Sequence, residues 1–119
     1  MKKLLIGIIV LTLASCAKFN LGVEVKVNNN SDFTVTDITF STSEKLENIE
    51  FESIEPNKSV KGFLSMKENK VDGHYIISFT RENGVIESEK LGYYSNGITF
   101  ENLIEIDIEN DSVIQKIEK

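Results

Sequence analysis

The chain contains one cysteine, Cys16, and one histidine, His74. These are the two residue types best suited to nucleophilic or acid–base chemistry at neutral pH. Covalent catalysis needs a nucleophile with a base beside it, and a zinc site needs three or four His, Cys or carboxylate ligands. The sequence has no Gly-x-Ser-x-Gly nucleophile motif. His74 directly precedes a run of strand-forming residues, where we expect an exposed strand-end histidine. The sequence therefore predicts a protein that is not an enzyme, with no catalytic residue and no zinc.

Carboxylates are the other group with chemical potential, because calcium takes clustered oxygen ligands from loops. The candidates are Asp107, Glu109 and Asp111 in one group, and Asp32 and Asp37 in another. Neither group forms an Asp-x-Asp-x-Asp-Gly pattern, and acids that alternate along a strand are typical of its solvated face. The glycines are scattered singly and form no phosphate-binding loop. We predict no metal site and no cofactor.

A pair of tyrosines followed by a turn is the best candidate for a binding surface. Adjacent side chains in a strand point to opposite faces, so one of Tyr93 and Tyr94 is expected to be exposed. An exposed tyrosine beside a Ser-Asn-Gly loop has the adaptable, low-entropy character of binding surfaces. The candidate surface consists of Tyr94, Ser95, Asn96 and Gly97. In the alternative interpretation, Tyr93 is a core residue and Tyr94 packs at the edge of a sheet.

The N-terminus combines a positive segment, an apolar segment and the cysteine in a recognisable order. Lys2 and Lys3 precede a predominantly apolar stretch at residues 4–13. A membrane-spanning helix needs roughly 20 apolar residues, whereas a stretch of this length fits the apolar part of a signal peptide. The tetrapeptide Leu13-Ala14-Ser15-Cys16 resembles the lipobox of bacterial lipoproteins, which signal peptidase II cleaves before the cysteine.

This resemblance implies that residues 1–15 are a signal peptide and that Cys16 carries a diacylglyceryl group and an N-linked acyl chain such as palmitate. Residues 16–20 then form the lipidated cysteine and a short tether, and the membrane is a partner through the lipid. Alanine at position 17, where an aspartate favours inner-membrane retention in such families, favours the outer membrane facing the periplasm. Lipidation also removes the only thiol from any disulfide or catalytic role.

Charge and length limit the classes of partner. The 119 residues include 13 basic and 19 acidic side chains; without Lys2 and Lys3 the mature chain has 11 basic residues and a net charge of −8. Such an acidic chain is a poor ligand for nucleic acid, whose phosphates require basic side chains. Residues 21–119 are enough for one domain.

Short runs of alternating apolar and polar residues, separated by turn-forming residues, predict strands throughout that domain. The predicted strands lie at about 21–27, 33–40, 49–53, 60–66, 74–80, 85–93, 104–109 and 112–117. The apolar parity switches across Thr36-Asp37, which predicts a β-bulge. Turns are predicted at Pro56-Asn57, Asn83-Gly84 and Ser95-Asn96-Gly97.

Seven to eight antiparallel strands in about a hundred residues predict an all-β, immunoglobulin-like sandwich of two sheets. The run from Ile54 to Ser59 resembles a turn frequent in immunoglobulin-like modules of the bacterial envelope. A small β-barrel and a C2-like sandwich are the alternatives.

The resulting functional hypothesis is a lipid-anchored envelope lipoprotein that binds or scaffolds another envelope protein without enzymatic activity. The alternative is an inhibitor or immunity protein that neutralises a basic envelope hydrolase or toxin, because a strongly acidic surface steers a basic partner towards it.

Overall fold

Eight β-strands make up the domain in the computed structural model, which describes residues 22–99 and 101–118. The strands are β1 (Gly22–Asn29), β2 (Val35–Thr42), β3 (Asn48–Ile54), β4 (Ser59–Ser65), β5 (Gly73–Thr80), β6 (Ile86–Tyr94), β7 (Leu103–Ile108) and β8 (Val113–Glu118). The described residues contain no helix, and thus none that could span a membrane. The all-β prediction is confirmed. The predicted signal peptide (1–15) and the predicted lipidated Cys16 with its tether (16–20) lie outside the described residues.

The strands form two four-stranded sheets, ordered β4-β1-β7-β8 and β3-β2-β5-β6. Each sheet has two edge strands, so the predicted two-sheet sandwich is confirmed and the small closed barrel is wrong. All neighbours are antiparallel except β1 and β7, which run parallel with Val25 opposite Ile104. This pair departs from the antiparallel expectation. The two strands are far apart in sequence, so no hairpin signal could reveal their pairing.

The core lies between the sheets and follows the alternation of the strands. One face of β1 and one face of β7 contribute aliphatic side chains, and β2 and β5 contribute both aromatic and aliphatic ones. The fully buried members include Val25, Val27, Ile104, Ile106, Phe40, Tyr75, Ile77 and Phe79. Removing this apolar surface from water is the main force that holds the sheets together.

Two bulges change which side chains face the core. The pairing of β2 with β5 shifts between Thr36 and Thr39, and Asp37 has a φ of 51°. This confirms the bulge predicted from the parity switch. The pairing of β5 with β6 shifts beside Gly92, whose φ is 64°. This second bulge was not predicted from the sequence.

The strands and their connections define two ends of the sandwich. The near end is the end at which β1 begins with Gly22, and it carries the connections at 43–47, 66–72 and 95–99. The far end is the opposite end, and it carries the connections at 30–34, 55–58, 81–85 and 109–112. Any segment that precedes β1 therefore joins the domain at the near end.

A candidate binding cleft at the far end

The predicted binding surface, Tyr94 to Gly97, lies at the near end and is largely structural. Tyr94 is fully buried, and its hydroxyl donates a hydrogen bond to Glu44 Oε2 at 2.7 Å. The prediction that Tyr94 is exposed is wrong, because the bulge at Gly92 turns both Leu91 and Tyr94 inward. Tyr93 is the exposed member of the pair, with 54 % of its surface accessible.

The turn that follows Tyr94 joins two connections of the near end. Asn96 and Gly97 have φ angles of 53° and 74°, as the two central residues of a type I′ turn require. Asp72 Oδ1 accepts hydrogen bonds from the Asn96 amide at 2.9 Å and from the Ser95 hydroxyl at 3.2 Å. Gly97 is buried, and its amide donates to the Val71 carbonyl at 3.0 Å. Partner binding by Ser95 and Asn96 stays a prediction.

Two buried tyrosines close the core beneath this turn. The rings of Tyr75 and Tyr94 lie 5.5 Å apart, and Tyr75 also stacks on Phe40. Burial raises the pKa of Tyr75 to about 12, an increase that the Thr99 hydroxyl partly offsets and the Glu101 carboxylate adds to. Burial, followed by the hydrogen bond to Glu44, raises the pKa of Tyr94 as well. Both hydroxyls therefore stay protonated at neutral pH and act as structural groups.

The far end holds a cleft with a volume of about 560 Å³. Three connections line it: the β1–β2 connection, the β5–β6 hairpin and the β7–β8 turn. The lining side chains comprise Ser31, Asp32, Phe33, Thr34, Val35, Arg81, Glu82, Asn83, Asn110 and Asp111. This volume lies within the usual range of small-ligand pockets and also suits one or two side chains of a partner protein.

Phe33 is the apolar feature of this cleft. It was predicted to begin the second strand, but β2 begins at Val35, and Phe33 lies in the preceding connection with 57 % of its surface exposed. Its carbonyl accepts hydrogen bonds from Asn29 Nδ2 at 2.8 Å and from the Ser31 hydroxyl at 2.9 Å. The backbone that carries the exposed ring is thus fixed before any partner arrives.

Asn29 is the buried residue that organises the connection. Its Nδ2 also donates to the Ile54 carbonyl at 2.8 Å, and its Oδ1 accepts from the Ser31 amide at 3.0 Å. The Ser31 hydroxyl lies 2.5 Å from the same Oδ1 and shares its single proton between this oxygen and the Phe33 carbonyl. An asparagine amide has two donors and two acceptor positions, and here all four are used.

The opposite side of the cleft is held by reciprocal and charged contacts. Asn110 Oδ1 accepts from the Asp32 amide at 2.8 Å, and Asn110 Nδ2 donates to Asp32 Oδ2 at 3.0 Å. Arg81 donates two hydrogen bonds to Glu87, at 2.8 and 3.0 Å, and a third to the Glu109 carbonyl at 2.7 Å. These bonds link the β1–β2 connection and the β5–β6 hairpin to the β7–β8 turn.

The rim of the cleft is negative. Arg81 is neutralised by Glu87 in a bidentate pair and is mostly buried over the Phe79 ring. The exposed carboxylates of Asp32, Glu82 and Asp111 therefore dominate the charge that a partner meets. Sequence reasoning missed this site. Two features of the sequence pointed to it: an isolated phenylalanine after five polar residues, and Arg81, the only arginine of the chain.

Of the candidate chemical groups, Asp32 and Asp111 both line the far-end cleft, whereas His74 lies at the near end. His74 is half-buried at the start of β5, and its amide donates to the Ser43 hydroxyl at 3.2 Å. Over residues 22–99 and 101–118, no group of three or more His, Cys, Asp or Glu residues is arranged to hold a metal ion. The arrangement that the structure does build is a rigid aromatic group inside an acidic rim, which suits binding.

Comparison with known proteins supports the fold alone. No protein-family profile and no curated protein matches the chain. A solved structure described as the NMR structure of the protein from Eubacterium rectale has a similar fold, with a TM-score of 0.56. The two chains are 12 % identical, and the match covers 84 % of this chain and 91 % of the other. This likeness agrees with the two-sheet sandwich as the architecture of the domain.

Proposed function

We propose that this protein is a lipid-anchored lipoprotein of the bacterial envelope that binds another envelope protein through the far-end cleft. The observation that carries the proposal is the exposed Phe33 ring, on a backbone held by hydrogen bonds, in a cleft of about 560 Å³. In the proposed arrangement the lipid on Cys16 holds the near end at the outer membrane, facing the periplasm. The cleft then opens away from the membrane, where a soluble or membrane-embedded neighbour has access to it.

The construction of the cleft supports a binding role. A partner that covers Phe33 gains apolar burial without first ordering the loop, because the Phe33 backbone is already fixed by Asn29 and Ser31. Aromatic residues on fixed backbones are typical centres of protein interfaces.

The acidic rim favours one specific alternative, an inhibitor or immunity protein for a basic hydrolase or toxin. Asp32, Glu82 and Asp111 line the same cleft as the aromatic ring, so a lysine or arginine of the partner finds carboxylates in the cleft that holds the apolar contact. Opposite charges across an interface speed association and select the partner, and this contribution weakens as salt screens it.

Photo-crosslinking in living cells tests the binding site. A photoreactive phenylalanine analogue at position 33 should crosslink to a discrete envelope protein. The matched control is position 63, a phenylalanine of the same exposure, 55 %, on the outer face of β4. Absence of any adduct from position 33, or the same adducts from both positions, would contradict the proposed site.

The partner recovered from position 33 separates the two functional hypotheses. A basic hydrolase or toxin whose affinity falls steeply between low and physiological salt supports the inhibitor hypothesis. A partner that binds independently of salt supports the scaffold hypothesis.

A further inference from the structure

The three connections of the near end each expose one aliphatic side chain. Leu46, Val71 and Ile98 have 54, 56 and 58 % of their surface accessible, and one comes from each connection. We refer to these three residues as the apolar tips. A single exposed aliphatic side chain is ordinary, but several grouped at one end of a domain mark a candidate protein or membrane contact.

Hydrogen bonds hold together the three connections that carry the apolar tips. The Gly97 amide, next to Ile98, donates to the carbonyl of Val71 at 3.0 Å. The Lys70 amide, next to Val71, donates to Glu44 Oε1 at 3.3 Å, within the connection that carries Leu46. The apolar tips therefore belong to one platform of packed loops.

The position of the chain indicates what this platform faces. β1 begins at Gly22 at the near end, so the segment that precedes it joins the domain at the same end as the platform. Five residues separate Cys16 from Gly22, and five extended residues reach about 17 Å. A lipid on Cys16 would hold the platform within that distance of the bilayer surface.

The polar residues around the apolar tips are compatible with a membrane surface. The side chains that reach the surface of these loops include three lysines and four acids: Lys45, Lys67, Lys70, Glu44, Glu47, Glu68 and Asp72. Glu44 accepts a hydrogen bond from Tyr94 and Asp72 accepts one from the Asn96 amide, and the seven side chains together are close to neutral. The exposed Tyr93 lies one residue before the last position of β6, and tyrosine is enriched at membrane–water interfaces.

We propose that the apolar tips insert into the lipid interface, so that the domain touches the bilayer through its loops as well as through its lipid. This inference rests on the proposed lipid anchor. Two attachments fix the orientation of the sandwich, whereas a lipid alone leaves it free to rotate on its tether. The far-end cleft is then held facing away from the membrane.

Environment-sensitive fluorescence at single sites tests the insertion. Leu46→Cys, Val71→Cys and Ile98→Cys are made one at a time in the lipidated protein, labelled with NBD, and reconstituted into phosphatidylethanolamine–phosphatidylglycerol vesicles. Ile86→Cys is the matched control, because Ile86 is an aliphatic residue at the far end with 72 % of its surface exposed. Probes at the apolar tips should show blue-shifted emission and several-fold stronger quenching by lipid-attached nitroxide than the probe at position 86.

Flotation of the same samples separates a failed anchor from a failed insertion. Protein that does not float with the vesicles overturns the lipid anchor. Protein that floats, but whose tip probes match the probe at position 86, overturns the insertion alone. A photoreactive residue at position 98 that crosslinks in cells to a protein and not to lipid assigns the platform to a protein partner, and also overturns the insertion.

Discussion

Replacing Gly97 with alanine should destabilise the domain severely, because the structure leaves no room for a side chain there. Gly97 has a φ of +74°, which side-chain-bearing residues rarely adopt. A β-carbon at this position would lie 1.7 Å from the carbonyl oxygen of Asn69 and 2.4 Å from its carbonyl carbon. Both are backbone atoms of a neighbouring connection, so one of the two loops must move.

The expected size follows from three contributions. A left-handed conformation costs a side-chain-bearing residue roughly 1–2 kcal/mol, and forcing extra atoms into a packed site costs typically about 1–3 kcal/mol. Separating the loops also removes the hydrogen bond from Gly97 to Val71, which contributes about 1 kcal/mol. We therefore expect Gly97→Ala to lower the free energy of unfolding by roughly 3–6 kcal/mol, and the midpoint of thermal unfolding by at least about 12 °C.

Gly84→Ala is the matched control, because it changes the same residue type in the same backbone region. Gly84 has a φ of +84°, and a β-carbon added there would meet no atom within 4 Å beyond its own chain neighbours. Gly84→Ala should therefore lower the free energy of unfolding only by the backbone contribution of about 1–2 kcal/mol. Urea unfolding of the purified mature protein, followed by far-ultraviolet circular dichroism, gives the difference between the variants. Equal destabilisation by the two substitutions would refute the packing described for the near end.

Three further results are expected. Phe33→Ala should lower the affinity for the partner found by crosslinking by up to about 100-fold. The exposed 57 % of this aromatic side chain is roughly 110 Å² and contributes about 3 kcal/mol when a partner buries it. Phe63→Ala should leave the measured Kd unchanged. Asn29→Ala should destabilise the domain by roughly 2–4 kcal/mol in the same urea assay, because it leaves two buried carbonyls with fewer donors. The pKa of Tyr75 is about 12 in the folded state and about 10 in the unfolded state, so protonated Tyr75 contributes to the free energy of unfolding in full below pH 10. This contribution, up to about 3 kcal/mol, is lost as the pH rises from 10 to 12. The free energy of unfolding of Tyr75→Phe should therefore depend less on pH over that interval.

The strands and turns were largely predictable because their signals are local. Alternation in β1, β5 and β7 places the core residues, and the Asn-Gly pairs mark two turns. The bulge at Thr36-Asp37 was visible because apolar residues flank it on both sides and reveal the change of parity. Each of these features depends on residues close together in sequence.

The error at Tyr94 came from a bulge with a weaker signal. Around Gly92 the preceding inward positions of β6 are Glu87 and Glu89, which are charged, so no apolar pattern shows where the parity changes. An isolated glycine within a strand was the available indication of a bulge. β6 is an edge strand, and inward-pointing charged residues on such a strand discourage its pairing with another chain.

The far-end cleft depends on distant parts of the chain and was not visible in the sequence. It requires the parallel pairing of β1 with β7, which brings the connection after β1 next to the turn after β7. The contact between Asp32 and Asn110 joins residues 78 positions apart. No local pattern reports such a pairing, and the exposure of Phe33 follows from it.

Mass spectrometry of the mature protein, purified from its membrane, tests the central claim most directly, because the proposed orientation of the domain depends on the modification of Cys16. We predict an N-terminal peptide that begins at Cys16 and carries the mass of a diacylglyceryl group and an acyl chain, with residues 1–15 absent. The Cys16→Ser protein should lack both the lipid and the cleavage. A mature chain that retains Met1, or that begins elsewhere with an unmodified Cys16, would contradict the account.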